Sequence, residues 1–129
     1  MTSYRITGPL PASADPVLVV GLDGWVNAGQ AATAAAAFLA GEGPAVVEWD
    51  ADDLFDYRAS RPTLSFEQGV FVAVEYPQLV LRRNRVGDRD LLVLTGTEPN
   101  WNWRRLASEV ADLAGTLGAA EYVSLGGIP

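Results

Sequence analysis

One stretch of the chain, residues 17–40, constrains its fold more than any other. The apolar, mostly β-branched run Val17–Leu22 passes through a glycine-rich turn into an alanine-rich segment, which predicts a helix from about Ala28 to Ala40. A strand, a tight turn and a helix in this order form the repeating unit of a parallel sheet. The turn of such a unit lies at the carboxyl edge of the sheet, where open α/β folds bind their ligands.

The remaining pattern predicts one α/β domain over residues 1–129 with a mostly parallel sheet. Besides Val17–Leu22, the parallel strands are expected at Ala45–Trp49, Leu91–Thr95 and Glu121–Leu125, with a second long helix over Trp101–Leu117 and an edge strand near Tyr4–Ile6. The last strand has no helix after it to cover its outer face, and parallel sheets are normally covered on both faces. We therefore expect the domain to be incomplete at its C-terminus.

Residues 62–85 depart from this pattern. Three β-rich pieces follow one another at Thr63–Phe66, Val70–Val74 and Leu79–Arg83, separated by only a few residues. Connections this short cannot hold the crossover that parallel strands require. The segment is therefore predicted to be an antiparallel insertion.

The residue types that the chain lacks exclude several catalytic mechanisms. It has no cysteine, histidine or lysine, and all nine basic residues are arginine. These absences exclude a disulfide, a zinc–thiolate site, a Ser-His-Asp triad, a Schiff-base amine and a Walker A lysine. Carboxylates, hydroxyls, amides, arginine and backbone N–H groups remain available, and we assign no catalytic residue, metal ligand or cofactor.

The charge and hydropathy of the chain limit its partners. A formal net charge of −7 disfavours binding to nucleic acid and to anionic membrane surfaces. No apolar run approaches the roughly 20 residues of a membrane span, and the N-terminus has no secretory signal. With no cysteine to form disulfides, these features predict a cytoplasmic protein.

Two turns at the same predicted sheet edge carry the candidate site. The first, Asp23–Asn27, either binds a ligand or anion at the helix N-terminus through Asn27 and backbone N–H groups, or is a tight turn with glycines where the backbone needs them. Asn27 is also the candidate N-cap of the helix. In the second, Glu98 either pairs with Asp23 as two carboxylates for a divalent ion or acid–base chemistry, or belongs to a turn in which Asn100 caps the following helix.

Two tryptophans lie in or beside these turns. Trp25 and Trp101 fall off the apolar stripe that the second long helix is expected to turn to the core, whereas Trp103 belongs to that core stripe. The two either form an interface or pack against each other. The predicted partner- or ligand-binding residues are therefore Asp23, Trp25, Asn27, Glu98, Asn100 and Trp101.

Several stretches, in order, resemble the PAC2 family of proteasome-assembly-chaperone-like proteins in its actinobacterial form. They are residues 21–31 (GLDGWVNAGQA), 52–57 (DDLFDY) with 61–63 (RPT), 90–104 (DLLVLTGTEPNWNWR) and 122–127 (YVSLGG). The resemblance implies a three-layer α/β sandwich like that of nucleoside phosphorylases and peptidyl hydrolases. It also implies a protein-binding role, association of some members with proteasome α subunits, and a length beyond this chain, so that these residues would be an N-terminal portion. The end Gly127-Ile128-Pro129 does not match the hydrophobic-Tyr-any tail of some members.

Two functions follow from these observations. The first is a PAC2-type protein-interaction subunit, assembly-chaperone-like and without intrinsic catalysis, which forms homo-oligomers and has proteasome-related proteins as candidate partners. The alternative is an enzyme with a carboxylate-based site at the sheet edge, of phosphorylase, hydrolase or carboligase type. The missing histidine, lysine and cysteine favour the first, and we expect Trp25 and Trp101 to anchor the self-association.

Overall fold

The computed structural model describes residues 2–11 and 15–129 and shows a mixed α/β fold. Within these residues the strands are β1 Tyr4–Ile6, β2 Val17–Asp23, β3 Ala45–Trp49, β4 Thr63–Glu67, β5 Val70–Glu75, β6 Leu79–Val86, β7 Arg89–Thr97 and β8 Glu121–Ser124. The helices are α1 Ala31–Ala40, α2 Ala51–Leu54 and α3 Trp103–Thr116. None of these helices combines the length and hydropathy that a membrane span requires.

The main sheet has six strands in the order β1-β3-β6-β7-β2-β8. β2 runs parallel to both of its neighbours, so that Val17 lies opposite Leu91 on one side and Glu121 on the other. β6 is antiparallel to β3 and to β7, and β1 is antiparallel to β3. The four strands expected to be parallel therefore point the same way, but β6 separates β3 from the other three.

The expectation of a mostly parallel sheet is therefore corrected, whereas the antiparallel pairing expected for residues 62–85 is confirmed. Only β4 and β5 form a sheet of their own, whereas β6 joins the main sheet and makes it mixed. The cause is the connection between β6 and β7. Val86 pairs with Arg89, which leaves a two-residue turn with Gly87 at a φ of +63°. Such a turn joins antiparallel strands only.

The core lies on both faces of the central strands. Leu18, Leu92 and Leu94 pack with Leu106 and Leu113 of α3, whereas Val19, Leu91 and Val93 pack with Ala36 and Ala40 of α1. Successive residues of a strand point to opposite faces, so α1 and α3 cover opposite faces of the sheet. A close approach of α1 requires Gly21, because a Cβ added there would lie 2.7 Å from the Cβ of Ala36.

Both long helices begin later than the sequence predicts. Residues Ala28–Gln30 form a single 3-10 turn before α1, because Gly29 and Gln30 have φ values of +59° and +58°. α3 begins at Trp103 because Asn102 has a φ of +62°. Left-handed residues cannot continue a right-handed helix.

Candidate functional site

The turn after β2 is held together by the side chain of Asn27. Its Nδ2 donates to Asp23 Oδ1 at 3.1 Å, and its Oδ1 accepts from the backbone N–H of Thr33 at 3.1 Å. Thr33 is the third residue of α1, whose first N–H groups have no partner within the helix. Asn27 therefore caps α1 across the intervening 3-10 turn, whereas Gln30, at the N-cap position itself, makes no side-chain cap bond.

Glu98 connects the two turns of the predicted site. Its Oε2 accepts from the backbone N–H of Trp25 at 3.3 Å, and its own N–H donates to the carbonyl of Asp23 at 2.8 Å. A Cβ added at Gly24 would lie 2.2 Å from the Glu98 carboxyl carbon, so the glycine makes room for this side chain. The side chains of Asp23 and Glu98 each have their own hydrogen-bond donor, and the carboxylate pair stays a prediction.

Asn100 does not cap α3, contrary to one of the two interpretations above. Its Oδ1 accepts from the backbone N–H of Asp56 at 2.8 Å and from Ser60 Oγ at 3.1 Å. Asn102 occupies the N-cap position instead and donates from Nδ2 to the carbonyl of Asp53 at 2.6 Å. The loop before α3 is thus anchored to α2 and the residues after it. These partners are forty or more positions away in sequence, so no local pattern indicates them.

The tryptophans beside the turns are exposed. Trp25 is 84% exposed and Trp101 is 47% exposed, and no ring contact joins the two within residues 2–11 and 15–129. Trp103 is also about half exposed, so its expected place in the core is wrong. It lines an apolar groove of about 310 Å³ between α3, β2 and Tyr122 of β8.

A polar cleft of about 500 Å³ opens at the carboxyl ends of β2 and β7. Its lining comprises Asp23, Thr33, Ser60, Arg61, Thr63, Glu75, Tyr76, Pro77, Gln78, Thr95, Gly96 and Thr97. Among the predicted site residues only Asp23 lines it. Sequence reasoning missed Arg61, Glu75 and Gln78, because they come from the hairpin strands and their flanks. The one local indication of a polar site here was the pair of threonines at the end of β7, because the carboxyl ends of parallel strands meet at this edge of the sheet.

Tyr57 supports one wall of this cleft. Its hydroxyl donates to Asp52 Oδ1 at 2.5 Å, and this hydrogen bond, together with burial and the nearby negative charge of Asp52 and Asp50, raises the pKa of Tyr57 to about 12. Its ring meets that of Tyr76 edge to face, with centroids 5.2 Å apart. The tyrosine pair thus fixes Tyr76 at the cleft.

The β4–β5 hairpin carries a row of exposed apolar side chains. Leu64 lies opposite Val74 and Phe66 opposite Phe71, which places the four on one face, here called the hairpin face. All four are exposed, and the two phenylalanine rings contact each other edge on at 5.9 Å. The sequence predicts both strands, but it does not reveal that nothing in the described residues covers this face.

A family model described as the PAC2 family matches residues 21–129. No curated protein matches the chain at a significant level.

Three solved structures have a similar fold. A Corynebacterium glutamicum protein of unknown function is 27% identical with a TM-score of 0.87, over 98% of this chain and 50% of that one. A Mycobacterium tuberculosis proteasome-assembly chaperone homologue is 32% identical with a TM-score of 0.77, over 85% and 48%. A PAC2 family protein from Streptomyces avermitilis is 38% identical with a TM-score of 0.76, over 87% and 49%. The chain spans about half the length of each.

Proposed function

The chain belongs to the PAC2 family, and from this membership we propose that it acts as an assembly-chaperone-like protein that binds other proteins and has no catalytic activity of its own. The similar structure that bears the name of a proteasome-assembly chaperone homologue supports this role. The sheet-edge enzyme gains no comparable support, because the carboxylates of Asp23 and Glu98 are each used in holding the turns together.

The hairpin face carries the proposal. A two-stranded hairpin without other strands is marginally stable in water, yet this one exposes Leu64, Phe66, Phe71 and Val74 together. Contiguous exposed apolar surface of this kind marks interaction sites in proteins. Large aromatic side chains near the centre of such a surface contribute most of the binding free energy, which assigns the leading role to Phe66 and Phe71.

The charges around the hairpin face indicate the chemistry of its partner. Between Pro62 and Leu81 the only charged residues are Glu67 and Glu75, so the hairpin is acidic as well as apolar. Complementary potentials favour a partner with an apolar patch bordered by arginine or lysine. We take this partner to be a proteasome-related protein, on the strength of the structural relative named above.

The test is a binding measurement with purified proteasome α and β subunits, for instance by biolayer interferometry on the immobilised chain. We expect one of them to bind, and the double variant Phe66→Ser/Phe71→Ser to weaken binding by about tenfold or more, since it removes both aromatic anchors. The matched control is Phe38→Ser, which replaces a phenylalanine that is 84% exposed on α1, outside the hairpin.

The binding of the double variant and of the control decides the proposal. Loss of binding in the double variant with retention in Phe38→Ser supports the proposal. Equal binding by all three proteins, or no binding of either subunit type, contradicts it. None of the substituted side chains is buried, so circular dichroism should show the same fold throughout.

The same family membership extends the proposal to three further properties. We propose a three-layer α/β sandwich of phosphorylase and hydrolase type, which the placement of α1 and α3 on opposite faces supports. We propose self-association through Trp25 and Trp101, which their exposure supports. We also propose a cytoplasmic location, in keeping with a proteasome-related partner.

A further inference from the structure

The polar cleft lies where the topology of the sheet changes direction. From β2 the chain passes through α1 to β3 on one side, and from β7 it passes through α3 to β8 at the opposite edge. β2 and β7 are parallel neighbours, and the two helices cover opposite faces. The crevice beyond the carboxyl ends of two such strands is where open α/β sheets bind ligands. Its volume of about 500 Å³ suits a small molecule.

The floor of the cleft is rigid. Gly96 in β7 has a φ of +136°, and a Cβ added there would lie 2.0 Å from the carbonyl oxygen of Gln78. The backbone N–H of Thr97 donates to that same carbonyl at 3.0 Å. The threonines on either side of Gly96 are therefore held in place by the paired backbone of β6 and β7, as a ligand site requires.

The cleft contains charged groups of both signs that do not neutralise each other. Arg61 and Glu75 are exposed, and neither forms an ion pair or side-chain hydrogen bond with any residue in 2–11 or 15–129. Asp23 contributes a second carboxylate, with one oxygen bonded to Asn27. The side-chain hydroxyls of Thr95 and Thr97 likewise have no partner among these residues.

We propose that this cleft binds a small zwitterion, namely an amino acid or a short peptide with free termini. The guanidinium of Arg61 receives the ligand carboxylate, which it can bind through two N–H groups at once. The carboxylates of Glu75 and Asp23 receive the ligand ammonium, and the hydroxyls of Thr95 and Thr97 bond its polar backbone. The inference goes beyond the protein-binding function and does not depend on it.

Other ligand classes fit the cleft less well. Its lining carries two carboxylates and one guanidinium, so its field opposes phosphate and other polyanions. A divalent cation would face the positive charge of Arg61, and the described residues contain no cluster of three carboxylates that could hold it. A neutral sugar would form no charge-assisted hydrogen bond with both partners charged, whereas a zwitterion does so with groups of each sign.

The test is a titration of the ¹⁵N-labelled full chain followed by amide chemical shifts. The probes are alanine, dialanine, N-acetyl-dialanine without an ammonium, dialanine amide without a carboxylate, inorganic phosphate and ribose. We expect alanine or dialanine to shift the amides of Thr95, Thr97 and Arg61, and each capped form to bind about tenfold more weakly, as for loss of one charge-assisted contact. Alanine and dialanine compared directly show which source of the zwitterion is preferred.

Variants locate the effect in the cleft. Arg61→Gln and Glu75→Gln should each weaken the better probe by about tenfold, whereas the matched exposed controls Arg104→Gln on α3 and Glu42→Gln after α1 should not change its affinity. The double variant Phe66→Ser/Phe71→Ser should retain it, which separates this site from the hairpin face. The proposal is overturned by equal binding of the capped forms, by shifts with phosphate or ribose at the same amides, or by no shift at millimolar probe.

Discussion

Gly96 lies in β7 at a point where the start of β6 passes very close. The φ of +136° and the 2.0 Å separation between an added Cβ and the Gln78 carbonyl oxygen both oppose any side chain there. Gly115 in α3 is the opposite case, because no atom of residues 2–11 or 15–129 lies within 4 Å of an added Cβ. A side chain is thus excluded at one glycine and has free space at the other, and only the structure distinguishes the two positions.

These two positions give a matched stability prediction. We expect Gly96→Ala to lower the free energy of unfolding by about 2–3 kcal/mol, through backbone strain and the displaced carbonyl. We expect Gly115→Ala to raise it by about 0.5–1 kcal/mol, because alanine is the better helix former. Urea unfolding of both variants beside the wild type measures the two effects, and a Gly96→Ala midpoint equal to the wild-type midpoint would contradict the account of β7.

Tyr57 gives a prediction in alkaline solution. Its pKa is raised from 10.0 to about 12 by the hydrogen bond to Asp52, by burial and by nearby negative charge. A raised folded-state pKa means that the native state retains the proton longer than the unfolded chain does. The stabilisation from this group is therefore complete below pH 10 and is lost as pH rises from about 10 to about 12.

Replacement of Asp52 tests this assignment. In Asp52→Asn the pKa of Tyr57 should fall towards 10, because the charged acceptor is gone. The tyrosinate absorbance of the folded chain during a pH titration reports the change, with Asp112→Asn on α3 as a control. An unchanged titration in Asp52→Asn would show that burial alone raises the pKa.

α1 depends on a cap that lies outside its own first turn. Asn27 accepts the N–H of Thr33 and donates to Asp23, so it closes both the helix end and the turn at the cleft. We expect Asn27→Ala to cost about 1 kcal/mol of stability, the usual effect of losing a cap. Hydrogen exchange at the Thr33 amide should accelerate more than at amides near the end of α1. Glu42→Ala, an exposed change beyond the other end of α1, should stay within about 0.5 kcal/mol. Uniform acceleration along α1 would contradict the local role of Asn27.

Helices and strands could be predicted from the sequence where the residues that determine them are neighbours in the chain. The strands of the hairpin and β3 follow from short apolar runs between turn residues. Pairing between distant strands has no such signal. The position of β6 in the main sheet and the contact of Asn100 with Asp56 depend on which segments meet in space.

The same distinction applies to the candidate site. Asp23 at the cleft and Glu98 beside Trp25 follow from the rule that parallel strands end at one edge. Arg61 and Glu75 reach that edge only because the hairpin between them folds back on itself. Their contribution could not be predicted before the register of β4 and β5 was known.

At the scale of the whole molecule, the surfaces proposed for binding are formed by different side chains. The hairpin face is apolar, the cleft is polar with charges of both signs, and Trp25 projects from the turn after β2. A substitution of one surface's own side chains should leave the others intact, because effects add when the side chains do not contact each other. Each function can therefore be tested with its own variant in an otherwise native chain.

Self-association is the prediction that belongs to this scale. Trp25 and Trp101 lie in turns that the hydrogen bond between Glu98 and the Trp25 N–H joins, so one contact surface can include both. Each copy has a formal net charge of −7, which opposes the meeting of two copies at low ionic strength. We therefore expect a dimer held by apolar contact whose fraction rises with salt concentration, whereas an ion-paired dimer would dissociate.

Sedimentation velocity of the full chain at micromolar concentration, in low and in high salt, measures this equilibrium. Trp25→Ala and Trp101→Ala should each weaken the dimer by about tenfold or more, as expected for aromatic anchors. Phe38→Ala, which removes an equally exposed ring from α1, should not change it, and neither should the hairpin double variant. A chain that stays monomeric in both salts would refute self-association. If both tryptophan variants form the dimer as the wild type does, the contact lies elsewhere on the surface. The two exposed side chains would then take no part in self-association.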